Sequence, residues 1–228
     1  MKKIWKYRFY YYLALPGLIY FIIFHYVPMG GALIAFKDIS PFDGLRGFFD
    51  APWVGFKHFE RFTSSVYFLD VIENTLIISG LKILFGFPAP IILALLLNEV
   101  LRMSLKRIMQ TISYLPHFIS WVVTAGMITA LLATSGGLLT ETINDFTGSN
   151  INFLGNKDYF VGILVTSHVW KTIGWSSIIY LAAMSSIDPA LYESARIDGA
   201  NRLQMAWHIT LPSIMFVIVI MFLLEIGN

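Results

Sequence analysis

The sequence predicts an all-α protein that crosses a membrane several times, and its composition, its apolar runs and the placement of its charges each point to this fold class. Hydrophobic residues make up 57% of the 228 residues and charged residues 13%. A soluble domain carries about a quarter of charged residues, because its surface must face water. With a mean hydropathy of +0.68, the chain is expected to have lipid as the solvent for much of its length.

Five apolar runs are candidate membrane spans, for which a helix needs about 20 residues. A basic tail with Lys2 and Lys3 precedes the first run. That run is too long for a signal peptide and lacks a small-residue cleavage site, so it is interpreted as a retained span. The predicted spans are Tyr12–Phe36, Asn74–Leu97, Ile108–Ala133, Tyr159–Ala183 and Pro212–Ile226.

The positions of Lys and Arg predict the orientation of these spans. The tail and the short turns after spans two and four are basic, whereas the longer loops on the other face mix basic with acidic residues. The N-terminus is therefore expected in the cytoplasm, in a multi-pass protein of the cytoplasmic (inner) membrane. The turn residues that carry the argument are Arg102, Lys106, Arg107, Arg196 and Arg202.

The same reading divides the chain into three parts. Residues 1–36 form the tail and first span, and residues 37–70 form an external loop in which short interfacial helices are expected. Residues 71–228 form the main transmembrane core, with a polar external loop at 134–158. Five spans would leave the C-terminus outside, directly after Glu225 in an apolar run. A sixth span is expected beyond the five.

The net charge and the counts of individual residue types argue against several function classes. A formal net charge of +2 without a basic, aromatic-interleaved patch gives no support for nucleic-acid binding. The chain has no Cys, and its five His lack metal-ligand spacing. No phosphate-binding loop occurs, so no cofactor and no metal site are expected in this chain.

The cytoplasmic segment 187–212 is the most informative part of the sequence. Asp188-Pro189 predicts a helix start, with Asp as the N-cap and Pro in the first turn. Gly199 can end this helix in the left-handed conformation. Asn201 can then cap a second short helix from Arg202 to Ile209, which would end at Leu211-Pro212.

The spacing in this segment resembles a known family signature. Glu193-Ser194-Ala195, Gly199, Ile209 and Leu211-Pro212 fit the pattern E-A-A-x3-G-x9-I-x-L-P, with Ser194 in place of the first Ala. This is the cytoplasmic loop of permease subunits of binding-protein-dependent ABC importers. The resemblance implies a core like that of type I importer permeases.

Further segments are similar to the carbohydrate branch of that family, in particular to permeases for oligosaccharides or polysaccharide-derived saccharides. Acidic saccharides such as alginate are candidates within that branch. The segments are Pro16-Gly17, Trp53-Val54-Gly55-Phe56, Leu115–Val122, Trp170–Trp175 and Ile179–Ala182.

The resemblance implies that the segment 187–212 is a coupling loop that docks in a groove of an ATPase subunit. It also implies a non-enzymatic subunit with four kinds of partner: a second homologous permease, two ATPase subunits that hold ATP and Mg²⁺, an extracytoplasmic solute-binding protein, and a saccharide. The residues expected to contact the ATPase or to shape the loop are Glu193, Ala195, Asp198, Gly199, Ala200, Ile209, Leu211 and Pro212.

Polar groups inside the predicted spans suggest a substrate path, because charge in hydrocarbon usually faces a cavity or a partner. Lys82 lies in span two, and Lys171 lies in span four beside His168, Trp170 and Trp175. Tryptophan faces could stack on sugar rings while the lysines bind carboxylates or hydroxyls. The alternative is helix packing, or lysines that extend to the interface.

Two other functions remain open at this point. An ion- or proton-coupled secondary transporter would need carboxylates within the membrane, and only Glu225 and Glu73 come near this requirement. An intramembrane enzyme would need converging acid, base or nucleophile groups, and the cluster from His168 to Lys171 has no carboxylate among its members.

Overall fold

A computed structural model describes residues 5–40, 42 and 44–227, and in these ranges the chain is helical, with one isolated β-bridge between Lys37 and Trp53. Lys2 and Lys3, which the orientation argument uses, lie outside the described residues. Contacts divide the chain into two units, residues 1–72 and residues 73–228. The first unit holds α1 Arg8–Phe36, α2 Gly44–Asp50, α3 Lys57–Thr63 and the start of α4 Phe68–Asn98.

The second unit contains the rest of α4 and all later helices. They are α5 Met103–Phe118, α6 Trp121–Leu132, α7 Leu138–Thr147, α8 Lys157–Met184, α9 Pro189–Ile197, α10 Arg202–Ser213 and α11 Met215–Ile226. Within this unit α8 packs along the second half of α4, where Ala94 is fully buried. Tyr180, Met184 and Ile214 complete the buried apolar cluster. A small residue at such a contact lets two membrane helices approach closely.

In the described ranges, α1, α4 and α10 each contain a π-helical turn that ends two residues before a proline. The turns are Ile22–Tyr26, Lys82–Gly86 and Ala206–Thr210, and the prolines are Pro28, Pro88 and Pro212. A proline ring clashes with the carbonyl four residues earlier and removes one hydrogen bond. A wider turn at that carbonyl accommodates the ring while most backbone groups stay bonded, as hydrocarbon requires.

By length and composition, α1 and α4 could each cross a membrane, so the first two predicted spans are confirmed as long apolar helices. The predicted third span is not one straight helix, because α5 and α6 are bent by 98°. Pro116 lies in the last, 3₁₀ turn of α5, and Ser120 caps the start of α6 through its side chain, which accepts the Val123 N–H.

Spans four and five agree with the prediction in their helices but differ in detail. The 28-residue α8 is one continuous helix, but by length and composition it does not count as a membrane span, as α1 and α4 do. The helix expected to end at Pro212 continues to Ser213, because the π turn accommodates that proline. The bend of 67° falls at Ile214, and each bent pair can count as one further span.

The two loops that are predicted to be external contain short helices. In the first unit the Lys37 ammonium donates to the carbonyls of Phe48 and Phe49 at 2.8 and 3.2 Å, which fixes α2. Lys57 pairs with Asp38 at 2.7 Å and holds the pKa of that exposed carboxyl below its usual value. In the second unit, residues 134–158 were expected to be a polar loop, but they include α7, whose Thr140 is buried.

Candidate functional site

The loop 187–212 begins with a well-capped helix. The Asp188 side chain accepts a hydrogen bond from the Ala190 N–H at 2.9 Å, and Pro189 occupies the first turn of α9. Such a cap satisfies one of the backbone N–H groups that a helix start leaves open. The local signal in the sequence therefore gives the observed helix start.

A tight turn follows α9. Gly199 has φ +80°, in the left-handed region, and the Ala200 N–H donates to the Ala195 carbonyl at 2.9 Å. Asn201 then caps α10 in a reciprocal capping box with Gln204, with bonds of 2.9 and 2.8 Å. The loop is thus a helix, a one-glycine turn and a second helix, as the sequence predicts.

The residues expected in the coupling loop fall into two groups. Glu193, Asp198 and Gly199 are exposed, as is Pro212. Ala195, Ala200, Ile209 and Leu211 are half-buried and support the loop from within. The exposed members are the ones that a partner can contact.

The sequence reasoning missed the exposed apolar side chains on either side of the Gly199 turn. Ile197 is 86% exposed at the end of α9, and Leu203 is 69% exposed at the start of α10. They flank the Gly199 turn. The family pattern specifies no residue type at either position. The sequence therefore offered only one signal for them, an apolar residue close to a polar turn.

One side-chain contact holds the loop together, and a second joins it to the end of α4. The Tyr192 hydroxyl lies 2.9 Å from the Thr210 hydroxyl, which ties α9 to α10. Arg202 pairs with Glu99, just after α4, at 3.4 Å. A groove of about 720 Å³ opens beside the loop and is bordered by Tyr192, Glu193, Arg202 and Glu99.

A second cavity, of about 450 Å³, lies among α4, α8 and α11 and contains two of the predicted path residues. Lys82, in the π turn of α4, and His168, on α8, both line it, and the His168 ring packs against Gly86. Glu225 on α11 adds one carboxylate. The remaining polar lining is hydroxyl: Ser79, Thr172, Ser176 and Tyr180.

The other three predicted path residues lie elsewhere. The Lys171 side chain is buried and bonded to backbone carbonyls of residues 116–119. Trp175 stacks on His117 with ring centroids 4.7 Å apart. Trp170 is partly exposed along apolar grooves of α8. The structure brings together Lys82 and His168, and it does not bring these three to their cavity.

Residues 86–228, which include the loop, α8 and most of the cavity wall, match the family described as the binding-protein-dependent transport system inner membrane component. The chain belongs to this family. Its members are multi-pass permease subunits of ABC importers, so the fold class and the transport role expected from the loop signature are confirmed.

Curated relatives and solved structures agree with this membership. The chain is 48% identical over 227 residues to the polygalacturonan/rhamnogalacturonan transport system permease protein YteP of Bacillus subtilis, covering 99% of this chain and 70% of the relative. It is 44% identical to Protein LplB of the same organism over 96% of this chain and 68% of the relative.

Among solved structures, a chain of a bacterial ABC transporter that imports the acidic polysaccharide alginate superimposes with a TM-score of 0.88. The sequence identity is 42%, and the match covers 99% of this chain and 74% of the other. The same transporter has been solved in complex with a periplasmic protein that holds an alginate pentasaccharide.

Proposed function

We propose that this chain is a transmembrane permease subunit of an ATP-driven importer for saccharides, with an acidic oligosaccharide or polysaccharide-derived saccharide as its substrate. The observation that carries the transport role is the loop 187–212, a capped helix pair around the Gly199 turn inside the family-matched region. The relatives described above, which transport polygalacturonan, rhamnogalacturonan or alginate, support a saccharide.

The loop is the docking element for an ATPase subunit. Ile197 and Leu203 offer apolar surface on both sides of the turn, and Glu193 offers a carboxylate at the edge of the adjacent groove. Apolar anchors with a charged rim are the usual composition of a specific interface. ATP and Mg²⁺ belong to the ATPase, so this chain carries out no covalent chemistry.

The cavity among α4, α8 and α11 is this chain's part of the substrate path. Lys82 and His168 supply groups that attract carboxylates, and four hydroxyls supply the hydrogen bonds that a sugar needs. One carboxylate, Glu225, reduces the local positive charge. Charged and polar side chains at membrane depth generally mark such a path.

The other partners follow from the type of importer. A second, homologous permease completes the path, two ATPase subunits bind on the cytoplasmic side, and a solute-binding protein delivers the saccharide to the external loops. The N-terminus lies in the cytoplasm. ATP binding closes the ATPase dimer and moves the coupling loops, which changes the side to which the cavity opens, and hydrolysis resets it.

Co-purification tests the ATPase contact. The chain is expressed with the second permease and the ATPase encoded beside it and is captured in mild detergent. We expect wild-type chain and the control Asp145→Lys, an exposed change on α7, to retain the ATPase, because α7 belongs to the segment 134–158 that is predicted to be external. Glu193→Lys and Ile197→Asp should lose most of it. Full retention by both loop variants would contradict the docking role of the loop.

A further inference from the structure

The break between α5 and α6 poses a backbone problem for a membrane protein. The chain turns by 98° at residues 119–120, so the carbonyls at the end of α5 lose their α-helical partners. The Pro116 carbonyl keeps one short-range bond, from the Ile119 N–H at 3.2 Å. In hydrocarbon, every backbone polar group must find a partner within the protein. At the start of α6, the Ser120 side chain accepts the Val123 N–H and so caps the helix. The carbonyls at the end of α5 need a donor from another element.

Lys171 of α8 supplies this donor. Its ammonium donates to the carbonyls of Pro116, at 3.3 Å, and His117, at 3.0 Å, and also to that of Ile119. An ammonium has three N–H groups, so all three are used. A positive charge at a helix C-terminus also interacts favourably with the helix dipole. The lysine side chain is 5% exposed and also lies 5.3 Å from the Trp121 ring.

Two neighbours of Lys171 on the same face of α8 contact the same end of α5. Gly174 lies so close to the Ser113 carbonyl that a Cβ there would overlap it. Trp175 stacks on His117 with an interplanar angle of 1°. Positions 171, 174 and 175 share one face of a helix. Helix α8 therefore contacts the break through a charge, a close backbone approach and a stacked ring pair.

The break is also next to the proposed substrate cavity. His168, which lines the cavity, lies parallel to the Trp121 ring at 6.4 Å, and Trp121 is the first residue of α6. A change in the bend would move Trp121 and thus the contact that orients His168. Lys171 reaches the break and does not line the cavity.

We propose that Lys171 is a positioning residue that fixes the bend between α5 and α6 and, through Trp121, the orientation of His168 in the cavity. The saccharide does not contact it. This goes beyond the proposed function, in which Lys171 has no part. The bent pair and α8 move as one body during transport, and loss of the ammonium releases the bend.

A distance across the bend tests this directly. The chain has no Cys, so Leu105→Cys and Met127→Cys, both at exposed positions, can be spin-labelled on the purified chain before it is reconstituted with its partners. Helix rise places the two positions about 23 Å apart when bent and about 33 Å apart when straight. We expect Lys171→Met to broaden the distribution toward the longer distance and Lys171→Arg to keep the short one.

Transport kinetics separate positioning from substrate binding. In proteoliposomes we expect Lys171→Met to lower the maximal transport rate at least tenfold with KM within about twofold of wild type, and Lys171→Arg to restore most of the rate. A raised KM with an intact rate would overturn the proposal, as would a wild-type distance distribution in Lys171→Met.

A milder variant covers the case in which Lys171→Met does not insert. Lys171→Gln keeps two N–H donors and should give a partly broadened distribution with an intermediate rate. A wild-type distribution and rate in Lys171→Gln would equally overturn the proposal. The distance measurement needs no substrate, so it tests the role of Lys171 even if the proposed saccharide is wrong.

Discussion

Replacement of Gly199 tests whether the turn between α9 and α10 carries the coupling. Gly199 has φ +80°, and a Cβ built there meets no atom within 4 Å. The cost of a side chain is therefore conformational and not steric. A left-handed conformation costs an L-residue about 1–2 kcal/mol, which reduces the population of the observed turn by about 5- to 30-fold. Gly199→Val adds a β-branched side chain, so its cost lies at or above the upper end.

The assay is transport and ATP hydrolysis by the reconstituted importer. We expect Gly199→Val to insert normally, to lose most saccharide transport and to hydrolyse ATP without coupling to it. Gly199→Asn should keep more transport than Gly199→Ala, because Asn tolerates the left-handed region. The control Gly126→Ala, on α6 with open space around its Cβ, should behave as wild type. Wild-type transport by Gly199→Val would refute the reasoning.

Two further predictions concern the helices of the second unit. Lys82→Met should reduce the uptake of an acidic saccharide by about tenfold, because about 1.4 kcal/mol of charge interaction is lost. The uptake of a neutral saccharide of the same size should fall much less. Equal reduction for both saccharides would mean that Lys82 has a structural role. Gly174→Ala should destabilise the chain in detergent by about 1–3 kcal/mol, since its Cβ would overlap the Ser113 carbonyl, whereas Gly162→Ala on the same helix meets open space. A thermal unfolding scan measures the difference, and equal melting of the two variants would contradict the close approach.

The sequence predicts the loop 187–212 well because its signals are local. Asp188 and Asn201 act on backbone groups two and three residues away, and Gly199 acts on its own dihedral angle. None of these depends on which helix lies next to the loop. The end of α10 is the exception: Pro212 suggests a stop, and only the π turn before it lets the helix continue.

The membrane residues are harder to predict because their roles depend on neighbours distant in sequence. Lys171 and His168 are three residues apart on one helix, yet one bonds carbonyls more than 50 residues away and the other lines a cavity with α4. From residue type and position in the span alone, both residues are expected to line the substrate path. The bend after α5 is likewise set by Ser120 and Lys171 together, and only the first is visible in the local sequence.

The three π turns before Pro28, Pro88 and Pro212 change how the faces of these helices must be counted. A π turn holds one residue more than an α turn, and one residue corresponds to about 100° around the axis. A helical wheel drawn through an entire span thus loses its phase by more than a quarter of a circle at each such turn. The lipid-facing stripe on one side of the turn does not continue in line on the other, so the wheel has to be restarted at each of these prolines.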